Sequence, residues 1–474
     1  MERRQLPGQY NKRVATYHVE NFGCRATQAD GAAIERQLLE IGLQRASTAN
    51  RAEVVVVNTC TVTAAADQDA RAAIRRIHRE NPEAQILVTG CYAQRAPREI
   101  SALPGVSVVV GNSHKHEIAG HVRGRDSEAN FVSLAQIGAT REPDIVVGDI
   151  FAHTELMAAP VFDGEWFEKT RPNLKVQDGC NNRCSFCIIP SVRGRSRSLK
   201  PEQVLREVDA LVANGYREIV LSGINLGRWG RELTPDTNFA AMLRSILQQT
   251  AINKVRISSV EPMDWTNELI ELVASSPRIC KHAHVPLQSG SDKILRKMHR
   301  KYRPWHYADR IDRIRRAMPH AAIGADVMVG FPGESDDDFG QTRALIERLP
   351  FTYLHVFTYS SRPGTPSASM PEQVSVQVAR ERNRVLREIA AVKKRAFMES
   401  FVGRELEAIT LTHFDGECTE ALTDNYLKLH VRGRHEANQR IWAASDAVQS
   451  DALVGSVCSE PNTARSDELT ASAY

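Results

Sequence analysis

Nine cysteines are spread over 474 residues, and six of them stand where chemistry can be done. The segment DGCNNRCSFCIIP places Cys180, Cys184 and Cys187 in one loop as C-x3-C-x2-C. Three thiolates this close can hold three irons of a cubane 4Fe-4S cluster and leave the fourth iron open to a small molecule. Zinc is the rival reading. A structural zinc takes four ligands, however, and no other Cys or His lies between His153 and Cys280. Three more cysteines occur earlier: Cys24 in NFGCR, Cys60 in NTCTVT and Cys91 in TGCYAQ. An odd total precludes complete disulfide pairing, so metal binding or catalysis is the better use for them.

These groups need elements to position them. Residues 14–20, 53–58, 85–89 and 106–110 are short and rich in β-branched residues, with helical patterns such as IERQLLEIG and AADQDARAAIRRIHREN between them. That is the rhythm of a mostly parallel sheet. Cys24, Cys60 and Cys91 each follow one of its first three strands. In open parallel sheets the carboxyl ends of strands line a shared crevice, so cysteines distant in sequence can meet there. A second series follows, with candidate strands at 174–177, 218–222, 254–259, 282–287, 322–329 and 353–358 separated by helical patterns. Six such units read as an α/β barrel left open, since a closed one uses eight. The cysteine loop follows its first strand, at the catalytic end. A long charged helix runs from about Val374 to Ser400, and short half-alternating runs after Gly403 predict a small β-barrel or sandwich.

Composition fits this plan. With 42% hydrophobic and 25% charged residues, the chain is an ordinary globular protein. Its apolar runs fall far short of the roughly 18 residues of a membrane span. The basic start MERRQLPGQYNKR has no apolar stretch behind it, which points away from secretion and towards a cytoplasmic protein. Net charge is +4, but residues 404–460 hold five basic against ten acidic residues, so the basic surplus lies in residues 1–403. A polyanion-binding surface is therefore expected there.

The C-x3-C-x2-C loop with Phe186 before its last cysteine resembles the signature of the radical S-adenosylmethionine enzymes. The continuation IIPSVRGRSRS, together with NFGC, NTCTVT and VTGCYAQ, is similar to the methylthiotransferases within that group. The resemblance covers nearly the whole chain and implies an α/β protein in three parts. These are an N-terminal parallel-sheet methylthiotransferase domain (13–125), an open radical-SAM TIM-like barrel (169–403) and a TRAM-like small β-barrel (404–460). A connecting region spans 126–168, and 461–474 form a disordered tail. The resemblance implies two 4Fe-4S clusters, one on Cys180, Cys184 and Cys187 and an auxiliary one on Cys24, Cys60 and Cys91, together with S-adenosyl-L-methionine as cofactor. Ser222, Gly223, Asn225, Ser258, Glu261 and Gln288 fall at strand ends where such enzymes bind that cofactor; capping of loops is their ordinary alternative. GFPGE (330–334) and YSSRPGTP (359–366) look like the last two strand-end loops, or simple turns. Cys280, Cys418 and Cys458 match no motif and are expected in cores.

The implied reaction is methylthiolation of carbon 2 of N6-threonylcarbamoyladenosine at position 37, in the anticodon loop of tRNA. N6-isopentenyladenosine, a ribosomal protein aspartate and a non-catalytic iron–sulfur RNA-binding role are the alternatives. Arg193 and Arg362 are candidate partners for the threonylcarbamoyl carboxylate. Neither the electron donor nor the sulfur donor can be read from the sequence. Relatives often carry Asn at the position of Thr27. An acidic β-domain also sits awkwardly with RNA binding, although HVRGRHEANQR (430–440) is locally basic. The other expected footprint is RGRSRS and the run Arg296 to Arg316, including Arg300, Lys301 and Arg303 interleaved with Tyr302, Trp305 and Tyr307. A solvated helix face explains that run equally well.

Overall fold

Four consecutive valines, Val54 to Val57, are all buried, which requires a strand covered on both faces. In the computed structural model, which describes residues 14–122, 142–152, 156 and 170–460, this is β3 (Val54–Thr59). The chain divides into two units, Met1–His153 and Thr154–Tyr474. In the first, β3 lies in a six-stranded parallel sheet with β1 (Thr16–Asn21), β2 (Gln44–Arg45), β4 (Gln85–Gly90), β5 (Val106–Gly111) and β6 (Asp144–Val146), ordered β2-β1-β3-β4-β5-β6. Val55 and Val57 pack with Ile74 and Ile77 of the helix Ala64–Glu80. Val54 and Val56 face the other way, onto Ile34 and Leu38 of the helix Arg25–Glu40. The period-2 alternation of strand side chains thus splits one apolar run between two cores.

In the second unit six strands run parallel: β7 (Asn173–Asp178), β9 (Glu218–Gly223), β10 (Lys254–Ile257), β11 (His282–His284), β12 (Ala322–Val329) and β13 (Tyr353–Thr358). They form two sheets, β10-β9-β7-β8 and β11-β12-β13, joined by the parallel bridges Val255 to Ile279 and Ser259 to His284. β8 (Arg197–Ser198) pairs antiparallel along β7. Among the described residues β7 and β13 do not pair, so the barrel is an open arc. After the helix Val376–Glu399, β14 (Glu405–Phe414), β15 (Cys418–Thr423), β16 (Lys428–Arg432), β17 (Arg440–Gln449) and β18 (Ala452–Cys458) form a closed barrel, β14-β15-β16-β18-β17.

The closed barrel is anchored under the arc by buried charge. Arg256 of β10 is fully buried; its Nε donates to Glu218 at 2.7 Å, and its two Nη groups donate to the Asp424 and Thr423 carbonyls at 3.0 Å each. Lys254 pairs with Glu407 at 2.7 Å, and Asn438 donates to the Gly215 carbonyl at 2.8 Å. Some of the acidic excess of residues 404–460 is therefore spent on the arc, not presented to solvent. Arg432 and Arg440, in the locally basic stretch, are paired with Asp446 and Glu407.

Several expectations change. β2, β6 and β8 are two or three residues long, too short to leave a periodic signal, and β6 lies inside the span read as a connector. The expected tail, and the connector apart from residues 142–152 and Leu156, lie outside the described residues. Cys280 is buried, but Cys418 and Cys458 are half-buried strand residues. The interleaved basic and aromatic run is not one surface. Tyr302 and Tyr307 are core residues at 1% and 0% exposure and Arg300 is also buried, whereas Trp305 is 58% exposed. None of the described helices is long and apolar enough to cross a membrane.

Arg256→Ala leaves the Glu218 carboxylate buried with its closest partner gone, which typically costs about 3–5 kcal/mol. A urea titration followed by circular dichroism should show this as a lower midpoint, with Arg256→Lys intermediate.

Candidate active site

The loop after β7 is shaped around Asp178. Both carboxylate oxygens of Asp178 accept from Arg193 Nη1 at 3.0 Å; Lys175 Nζ lies at 3.0 Å, Arg197 at 3.8 Å, and the Gly179 N–H donates at 2.8 Å. Arg193 is 2% exposed and committed to Asp178, and Arg197 lies beside the same carboxylate, so two arginines of RGRSRS help hold the loop. Gly179 has φ +68°, and a Cβ there would lie 1.9 Å from the Arg195 carbonyl oxygen. Only glycine allows that approach. Arg362 is also buried, in the turn after β13.

The sulfurs in this loop are met by donors. Cys180 Sγ accepts from the Asn182 N–H at 3.4 Å and from Asn225 Nδ2 at 3.7 Å, and Cys184 Sγ accepts from Arg300 Nη1 at 3.3 Å. Arg300 also bonds Glu261 and, at 3.2 Å, the Tyr302 hydroxyl. Burial pushes the Cys180 thiol up and the Cys187 thiol up to about 12. Thiolates here therefore need positive charge beside them, which an iron cluster supplies and which Arg300 begins to supply. Arg300 was missed as a site residue because its basic neighbours Lys301 and Arg303 hide it in what reads as a solvated stretch; only the buried tyrosines around it set it apart.

The predicted cofactor-binding residues come together at the same end of the arc. Ser222 and Gly223 close β9; a Cβ on Gly223 would lie 3.0 Å from Gln177 Cβ and Oε1, and Gln177 Oε1 accepts the Asn225 N–H at 2.7 Å. Ser258 follows β10, Glu261 is held by Arg300, and Gln288 sits beyond β11 with φ +64°. Asn225 Oδ1, Ser258 Oγ and Gln288 Oε1 are buried polar atoms without a hydrogen-bond partner. A buried polar atom left unpaired costs about 1–3 kcal/mol, so three on successive strand ends fit a polar ligand such as S-adenosylmethionine.

In the first unit β1, β3 and β4 are neighbours in register, with Asn21 opposite Asn58 and Thr59 opposite Gly90. Their carboxyl ends carry Cys24, Cys60 and Cys91 across two strand spacings, roughly 10 Å. Gly23, at φ +101°, lets the Cys24 turn pass so close that a Cβ would lie 2.8 Å from Cys60 Sγ. Gly90, at φ +103°, does the same against the Thr59 backbone. Asn112 Nδ2 donates to Cys91 Sγ at 3.5 Å, and Thr27 Oγ1 is 3.5 Å from Cys24 Sγ, so the unusual threonine touches the sulfur environment directly. Three sulfurs converging from adjacent strands can hold a cluster.

Residues 174–346 match the family model of the Radical SAM superfamily, and residues 16–111 match that described as Uncharacterized protein family UPF0004. The threonylcarbamoyladenosine tRNA methylthiotransferase MtaB of Bacillus subtilis is 38% identical over 430 residues, covering 89% of this chain and 92% of that protein. The chain belongs to the radical S-adenosylmethionine methylthiotransferase family. Another relative, the tRNA-2-methylthio-N(6)-dimethylallyladenosine synthase of Acidothermus cellulolyticus, is 36% identical over 84% of this chain and 78% of its own. The radical S-adenosylmethionine methyltransferase TsrM of Kitasatospora setae shares the fold at a TM-score of 0.55 and 16% identity, over 75% of each chain. Methylthiotransferases of this family use S-adenosylmethionine and carry two 4Fe-4S clusters. The residues described above fit both.

Gly179→Ala forces a side chain into the Arg195 carbonyl at a positive φ. The strain is on the order of 1–3 kcal/mol. After anaerobic reconstitution the variant should retain less iron than wild type, as measured by colorimetric iron assay.

Proposed function

We propose that this methylthiotransferase adds a methylthio group to carbon 2 of N6-threonylcarbamoyladenosine at position 37 of tRNA. The observation that carries the choice of substrate is coverage. The MtaB relatives of Bacillus subtilis, Aquifex aeolicus, Rickettsia prowazekii, Thermotoga maritima and Chlamydia pneumoniae are matched over 92%, 98%, 86%, 86% and 98% of their lengths. The dimethylallyladenosine synthases of Acidothermus cellulolyticus, Thermobifida fusca and Pelotomaculum thermopropionicum are matched over 78%, 77% and 81%. An anticodon-loop adenosine suits the open arc, because an unpaired base can be splayed out of its strand and into a pocket.

In this reading Cys180, Cys184 and Cys187 hold the radical cluster, while Cys24, Cys60 and Cys91 hold the auxiliary one. Bound together, the clusters and S-adenosylmethionine supply a carbon-centred radical, sulfur and a methyl group. The chain's own groups position them. Asn225 reaches Cys180 and leaves Oδ1 for the cofactor; Ser258 and Gln288 offer further polar atoms; Gly223 permits close approach of the backbone. Arg300 ties Glu261 to the loop that carries Cys184, so one side chain joins the wall of the cofactor site to the sulfur environment. The apolar set Ile294, Met298, Met328 and Phe331, with Phe186 packed on it, keeps water from one side of the loop.

Reconstituted protein should carry about eight irons per chain, two cubanes' worth. Replacing either cysteine set by alanine should leave about four. Replacing Cys180, Cys184 and Cys187 should also abolish 5′-deoxyadenosine formation. Purified enzyme should form the 2-methylthio product, detected by nucleoside mass spectrometry, on tRNA bearing threonylcarbamoyladenosine. Turnover only of isopentenyladenosine tRNA would assign the chain to the other branch.

A further inference from the structure

A chain of polar side chains lines one wall of the arc and plays no part in the cofactor site. His282 and His284 of β11, Asp326 of β12, and Tyr353 and His355 of β13 share a face, since each alternates with core residues such as Ala283, Ala325 and Val356. His282 Nε2 lies 2.7 Å from the Tyr353 hydroxyl, and that hydroxyl lies 2.9 Å from His284 Nδ1. His284 Nε2 is 3.1 Å from Asp326 Oδ1, and His355 Nδ1 is 3.2 Å from the same oxygen. The far end is pinned by Tyr426 of the closed barrel, stacked on His282 at 4.5 Å. Exposure rises along the chain: the His284 side chain is 9% exposed, Asp326 27% and His355 62%. Burial opposes the charge on Asp326, but hydrogen bonds from both rings outweigh it and hold its carboxyl well below the usual range.

The position of this row matters. Met328 and Phe357 stand two residues beyond Asp326 and His355 on the same strands, and they belong to the apolar set that packs Phe186 of the cluster loop. Two residues of strand span roughly 7 Å, so the exposed ring lies about one layer below the cofactor end of the arc. Of the two cations expected there from the sequence, Arg193 is committed to Asp178 and Arg362 is buried at 3% exposure in the turn after β13.

We propose that His355, held by Asp326 and backed by His284, binds the carboxylate of the threonylcarbamoyl substituent and so selects this substrate over the apolar isopentenyl one. The proposal rests on the threonylcarbamoyladenosine reading above. Because Nδ1 is occupied by Asp326, Nε2 lies on the opposite edge of the ring. In the imidazolium form it donates to an incoming carboxylate while Asp326 balances the charge behind it. An isopentenyl group offers that donor nothing, and burying the ring against it leaves a polar atom unpaired, which is how a polar pocket rejects an apolar analogue. A divalent cation is the rival occupant, because the two imidazoles and the carboxylate lie within 4.8 Å of one another. The network favours the organic anion. Its donors and acceptors alternate from His282 to His355 with no ion needed, and a metal among these atoms would need the ring nitrogens that now donate to Asp326 to become acceptors, at the loss of both hydrogen bonds.

The test compares His355→Phe and His355→Gln with wild type on matched tRNAs carrying threonylcarbamoyladenosine, its methyl ester, N6-glycinylcarbamoyladenosine and isopentenyladenosine. Iron content and S-adenosylmethionine affinity serve as checks that the barrel is intact. His355→Phe should lower kcat/KM on the threonylcarbamoyl tRNA by about 10- to 100-fold, mainly through KM, with His355→Gln intermediate. The glycinyl substrate, which keeps the carboxylate but lacks the hydroxyethyl side chain, should show the same dependence on His355. The methyl ester should bring wild type down to the level of the variant. Equal kcat/KM for wild type and His355→Phe on the threonylcarbamoyl tRNA, or an ester that wild type turns over as well as the acid, would overturn the carboxylate pocket alone. One equivalent of zinc or manganese bound by a protein with all six cluster cysteines replaced, and lost on adding Asp326→Asn, would do so as well. Wild-type turnover confined to isopentenyladenosine tRNA would overturn the substrate reading itself.

Discussion

Sulfur that must carry negative charge is buried in this protein, and that conflict governs the architecture of the site. Burial pushes the Cys187 and Cys180 thiols up, against the ionised form a metal ligand needs. Part of the resolution is built into the chain: backbone and amide N–H groups reach Cys180, and a buried guanidinium reaches Cys184. Those donors work only if held still. Glu261 and the Tyr302 hydroxyl hold Arg300, and Tyr302 in turn donates to the Leu287 carbonyl at 2.7 Å, just ahead of Gln288. One run of hydrogen bonds thus links the sulfur environment to two of the strand ends proposed to bind the cofactor.

The same physics recurs wherever charge is buried in the second unit. Asp178 gathers Arg193, Lys175 and Arg197 beneath the cysteine loop, and Arg256 joins Glu218 to the closed barrel. Pairs like these add little net stability over an apolar core, because desolvation offsets much of the attraction. What they provide is geometry. A guanidinium has a fixed fork of donors, so Arg256, bonded through Nε and both Nη groups to Glu218 and to the Thr423 and Asp424 carbonyls, fixes the seat of the barrel where an apolar contact would allow several.

What could be read from the sequence follows from which forces are local. The long strands announced themselves because a parallel sheet covered on both faces needs unbroken apolar runs, as Val54 to Val57 show. The grouping of the cysteines was readable because C-x3-C-x2-C confines three of them to one loop, and because the ends of β1, β3 and β4 are forced together by strand order. Arg300 and Arg193 were misread for one reason. Charge counted along a sequence suggests solvent or RNA, and only the fold shows that both are buried against carboxylates. Strands of two or three residues, such as β2 and β8, are set by tertiary pairing and leave no periodicity to find.

The histidine row on β11 to β13 leaves no local signal because its members are scattered between residues 282 and 355 and belong to no motif; pairing alone sets them side by side. An enzyme relying on a radical gains from a lumen that is apolar near the reacting centre, and Met328, Phe357 and Phe331 provide that here. The polar groups are displaced by one layer, where they can touch the substituent of a base without standing next to the reacting carbon. Pinning them from below through Tyr426 also gives the closed barrel a task that needs no basic RNA-binding surface. Its acidic residues then cease to be a contradiction. Glu407 spends its carboxylate on Lys254, and Arg256 takes the backbone carbonyl of Asp424, so both residues belong to the floor that holds the arc in place.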